Sequence, residues 1–123
     1  MRKITKVLDG ITSLDATVGQ VVDIKDAKRV VLFCKRANHT AGSSVFSATV
    51  GVGTDRATYN KWISNATNTN AQDEARVASL TLSANGCDFL TMSPEDIFEF
   101  ITVSVDNATD GTASAWIICD YED

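Results

Sequence analysis

The chain has 123 residues, 44% of them aliphatic or aromatic and 22% charged, with 11 basic against 16 acidic side chains and a net charge of −5. That balance excludes a disordered polar tail, and the longest apolar runs, such as Val30-Val31-Leu32-Phe33-Cys34, are far too short to cross a bilayer. The negative whole-molecule field opposes nucleic acid phosphates, so neither nucleic acid nor membrane is expected as a partner.

From the N-terminus, Ile4 to Leu8 reads as a short strand and Thr17 to Lys25 contains a second, with Val18, Val21, Val22 and Ile24 as its apolar positions. Lys28 to Lys35 is apolar on both faces in its middle, which predicts a central strand covered on both sides. Ser43 to Gly53 alternates, with Phe46, Ala48, Val50 and Val52 on one face and Ser47, Thr49 and Gly51 on the other, the pattern of a half-buried strand. From Thr54 to Gln72 the chain turns polar around Tyr59, Trp62 and Ile63; a short strand over Ala57 to Ile63 followed by an exposed loop is expected. Arg76 to Leu82 alternates again, with Ala78, Leu80 and Leu82 facing one way. Asn85-Gly86 supplies a turn, and Asp88 to Met92 a brief strand.

Ser93-Pro94-Glu95-Asp96 has the residues of one helical turn: a capping Ser, a Pro at the first helical position, and acids at the positive helix end. The runs Phe98 to Val105 and Thr112 to Cys119 flank Asn107-Ala108-Thr109-Asp110-Gly111. Asp and Gly tolerate positive φ, so this segment predicts a β-hairpin, with Trp116 in the core. About eight strands with turns between them predict an all-β fold, residues 1–123 forming one antiparallel two-sheet β-sandwich domain, with the jelly roll as one arrangement of it.

The three cysteines at 34, 87 and 119 lack paired spacing, and the first and last lie in apolar runs, so all three are expected as free thiols. Met1 to Lys6 leads into Asp9 and Asp15 rather than an apolar leader core, so a cytosolic origin is expected. The triplets beginning at Asn38, Asn65 and Asn107 match the glycosylation pattern but read as polar turns. His39 is the only histidine. A multi-histidine metal site is therefore excluded, and Cys34 beside it sits within a strand. Asp106 to Gly111 fails as a calcium loop, because Ala108 takes a ligand position and Ile117 stands where a bidentate Glu is needed. No cofactor, metal or catalytic residue is expected, and the chain does not read as an enzyme.

Tyr59 and Trp62, large aromatics in a polar segment, are candidate interface residues. Arg2, Lys3 and Lys6 form a positive start and are candidates too, complementary to Asp120, Glu122 and Asp123 at the acidic end; the two charges are expected to pair between subunits.

The stretches Tyr59-Asn60-Lys61-Trp62-Ile63, Asn65 to Gln72, Arg76-Val77-Ala78-Ser79 and Thr109-Asp110-Gly111-Thr112 resemble small β-sandwich structural proteins of tailed bacteriophages, among them capsid decoration or cement proteins. The resemblance implies a virion protein assembled in the host cytoplasm, with the major capsid protein and further copies of itself, a trimer favoured, as partners. It implies no catalytic residues. A tail or neck component and a carbohydrate-binding or receptor-binding module using Tyr59 and Trp62 are the alternatives.

Overall fold

The computed structural model describes residues 1–51, 76–92, 94 and 97–122. Nine strands occupy them: β1 Arg2–Ile11, β2 Thr17–Val18, β3 Val22–Asp23, β4 Arg29–Ala37, β5 Gly42–Gly51, β6 Arg76–Leu82, β7 Gly86–Thr91, β8 Phe100–Thr109 and β9 Thr112–Asp120. One sheet runs β1-β9-β4-β7 and the other β2-β8-β5-β6, with β3 also on β8. Every pairing is antiparallel. This is the expected two-sheet sandwich, with no helix among the described residues.

The pairings follow a single logic. β5 pairs β6, β4 pairs β7, β2 and β3 pair β8, and β1 pairs β9, so the two halves of the chain run alongside each other as one long antiparallel ribbon. That ribbon folds over so that β4 also meets β9 and β5 also meets β8. With β2 and β3 counted as one interrupted strand, this is the eight-stranded jelly roll.

The ribbon overturns the expected hairpin at Asp110-Gly111. β8 and β9 lie in different sheets, because β8 is already flanked by β5 and by β2 and β3, while β9 is flanked by β1 and β4. The turn residues supply the positive φ of a tight corner, with Thr109 at 73° and Gly111 at 107°, but the corner crosses between the sheets. Asn107, expected in a polar turn, is instead buried in β8.

Alternation decides which side chains meet between the sheets. Val30, Leu32 and Cys34 of β4 and Ala113, Ala115, Ile117 and Cys119 of β9 face Phe46, Ala48 and Val50 of β5 and Ile101, Val103 and Val105 of β8. Phe46, Leu32, Ile101 and Ile117 are fully enclosed, each burial stabilising the fold by about 1.5–3 kcal/mol. The strand expected over Thr17 to Lys25 is split into β2 and β3. Between them Gly19 donates its amide to the Val103 carbonyl at 2.8 Å, and a Cβ there would stand 2.5 Å from the Val7 oxygen. The β1 ladder slips between Lys6 and Leu8, so Val7 lies in a bulge at that close approach.

The strand expected over Ala57 to Ile63 and its loop lie outside the described residues, as do Ser93, Glu95 and Asp96 of the expected helical turn. The Ile97 amide there donates to the Pro94 carbonyl at 3.2 Å.

Candidate functional site

The outer face of the β1-β9-β4-β7 sheet is the chemically distinctive surface of the described residues. Alternation turns Val31, Phe33 and Lys35 of β4 away from the core, and the register aligns them with outward residues of the neighbouring strands. One cross-strand row reads Lys6, Trp116, Phe33, Phe89, and the next Ile4, Ile118, Val31, Thr91. Phe33 and Trp116 meet edge to face with ring centres 5.8 Å apart. The ends of the two rows stand open: Ile4 is 60% and Phe89 56% exposed. Strand β4 is central in its sheet, as its sequence predicts, and is buried on both faces at Val31 and Leu32, but only its inner face meets the other sheet and its outer face is half-buried at Phe33. Trp116 is likewise not in the core; it is half-buried on this outer face.

Cations frame the apolar rows. Lys6 holds its ammonium 5.2 Å from the centre of the Trp116 ring and 2.7 Å from Asp9 Oδ1, a cation–π contact of about 0.5–1 kcal/mol at such an exposed site. Arg2 forks onto Asp120, Nε to Oδ1 at 2.7 Å and Nη2 to Oδ2 at 3.1 Å. Arg29 stands opposite Asp120 on the other side. The Arg2 hydrogen bond holds the Asp120 carboxyl below its ordinary range, with the Arg29 charge adding to it. Arg2 of the basic start and Asp120 of the acidic end thus pair within one chain. Lys3, opposite Cys119 in the β1–β9 ladder, is exposed. Tyr59 and Trp62 lie outside the described residues.

At one end of the sandwich a buried polar cluster ties the crossovers together. Arg36 continues the inward parity of β4 and is fully buried. Its guanidinium donates to His39 Nδ1 at 3.0 Å, Ser44 Oγ at 2.6 Å and the Ala41 carbonyl at 2.9 Å, with Asp110 Oδ1 at 3.6 Å. Ser44 donates onward to Asn107 Oδ1 at 2.6 Å, and Asn107 Nδ2 donates to the Ile11 and Ser13 carbonyls. Arg36 has no acceptor, so His39 carries its proton on Nε2. Thr40 donates to Asp110, and the His39 amide to Asn85 Oδ1. Four separate connections are thereby bound to one another, so the cluster sets the shape of this end of the fold.

Cys34 and Cys119 are buried and Cys87 is exposed, all three as free thiols. Burial, with Asp88 adding, pushes the Cys34 thiol up to about 12, and burial also raises Cys119. His39 faces Arg36 and Cys34 faces the core, so they form no nucleophile–base pair. Among the described residues no group of three or more His, Cys, Asp or Glu side chains converges to hold a metal ion. The outer sheet face escaped the sequence reading because both parities of β4 and β9 are apolar, and a two-sided apolar strand reads as enclosed. Compared with known proteins, the chain matches no family model, no curated protein and no solved structure.

Proposed function

We propose that the protein is a non-enzymatic structural component that works by docking: a homo-oligomeric virion protein that decorates a phage head and stabilises it. One observation carries the docking reading: an outward aromatic and aliphatic sheet face, half-buried at Phe33, Trp116 and Ile118, open at Ile4 and Phe89 and framed by cations, the composition that marks protein–protein interfaces. The phage assignment rests on the resemblance of the turns and polar loops, and the jelly roll, an architecture used by viral capsid and lectin domains, is compatible with it. Against a glycan platform on this face stands Lys6, whose ammonium occupies one side of the Trp116 ring.

The test is co-sedimentation of the purified chain with DNA-filled heads of the tailed phage that encodes it. Retention at fixed stoichiometry and a higher temperature of DNA release are expected, because binding the assembled state alone stabilises that state. Heads that neither retain the protein nor gain heat resistance would refute the decoration reading.

A further inference from the structure

We propose that the outer face of the β1-β9-β4-β7 sheet is a self-association surface, taking the acidic remainder of a second copy head to tail and so closing a small ring. The inference rests on the reading of the protein as an oligomeric structural component and assigns this face to the contact between copies, leaving other surfaces for the head.

Charge selects the occupant. The face carries Arg2, Lys6, Arg29 and Lys35 against Asp9 and Asp120, a net +2. Among the other described side chains eight acidic residues stand against four basic ones, a net −4. Stacking this face on itself across a two-fold axis would oppose +2 with +2 and desolvate like charges, which is unfavourable. A head-to-tail contact sets the cationic face against a surface of opposite sign, and such heterologous contacts close into rings when the rotation permits.

Both edges of this sheet carry devices that hinder strand addition. β1 carries Lys3 and Lys6 and a bulge at Val7. On β7 the Asp88 carboxylate accepts the Phe89 amide at 2.8 Å. Edge lysines and bulges are devices that block strand addition, and an amide already engaged by its neighbour's side chain has no donor to offer an incoming strand. The face is four strands wide, about 19 Å at the usual strand spacing.

Sedimentation velocity of the full chain from about 1 to about 200 µM should show a discrete small oligomer growing with concentration. Raising salt from about 0.05 to about 0.5 M should weaken it, since the attraction is between exposed charges. Phe89→Ser and Ile4→Ser, at exposed positions that leave the core intact, should each weaken association about tenfold or more, and Lys35→Glu likewise, with thermal unfolding near the wild-type value. A chain monomeric throughout that range overturns the proposal. So does an oligomer indifferent to all three substitutions, one that tightens with salt, or a monomer that instead binds phosphatidylserine vesicles. A monomer that still decorates heads would sink this inference and spare the head-decorating role but not its oligomeric part; an oligomer that no head retains would sink that role and spare this inference.

Discussion

Arg36 and Gly111 are packed so closely that the guanidinium leaves no room for a side chain at position 111. A Cβ on Gly111 would stand 2.5 Å from the Arg36 Cζ and 2.8 Å from Nη2. The buried guanidinium therefore fills the space that a side chain at the β8–β9 corner would take, and the corner residue must be glycine both for that reason and for its φ of 107°.

Gly111→Ala is accordingly expected to cost about 2–4 kcal/mol, from backbone strain plus displacement of a buried charge. Part of that cost should vanish when Arg36 is shortened. In a double-mutant cycle with Arg36→Ala, measured by urea unfolding, the two changes should cost less together than the sum of each alone. Additive costs would show that the guanidinium does not hold the corner.

Thr102 lies in β8 with its hydroxyl buried and without a hydrogen-bond partner. Thr102→Val keeps the shape and the β-branching while removing the unsatisfied group. It should stabilise the fold by about 0.5–1.5 kcal/mol, and a lower denaturation midpoint would contradict this.

Of the three thiols only Cys87 is exposed, and burial keeps Cys34 protonated at neutral pH. A thiol reagent at pH 8 should modify one cysteine per native chain rapidly and the other two only on unfolding. Cys87→Ser should abolish the rapid phase, and reductant should leave the melting temperature unchanged, since there is no disulfide to lose.

Asp120 titrates below its ordinary value of 3.8 because Arg2 hydrogen-bonds its carboxylate. A carboxyl depressed in the folded chain contributes stability above its unfolded value, and that contribution fades as pH falls through the folded one. Between about pH 5 and about pH 3 the wild type should therefore lose more thermal stability than Asp120→Asn. Since the pair is solvent-accessible, about 0.5 M salt should shrink the difference. Parallel acid limbs for the two proteins would show that the Arg2 fork contributes nothing.

Much of the fold was legible because alternation with period two is a local property. Phe46, Ala48 and Val50 share a parity in β5 and all three reached the core; Val30, Leu32 and Cys34 did the same in β4. The same parity extends to Arg36, so its inward placement was readable in principle. What a single strand cannot encode is its neighbour. Asp110-Gly111 provides a turn of the right backbone chemistry, but whether that turn joins partners or crosses between sheets depends on whether the flanking strands have a free side. Here β8 and β9 have none, because residues far away in sequence already occupy both. Local pattern is equally silent about which face of an all-apolar strand meets the second sheet. Trp116 and Ile117 are adjacent and both apolar; packing enclosed Ile117 and left Trp116 outside beside Lys6 and Phe33. The amino-acid order by itself determined where most strands run and, where polar and apolar residues alternate as in β5, which face turns inward, because steric alternation acts within a few residues. Only the tertiary structure decided the ribbon's path, the buried Arg36 cluster and the outward aromatic face, because each is made by contacts between residues brought together from distant parts of the chain.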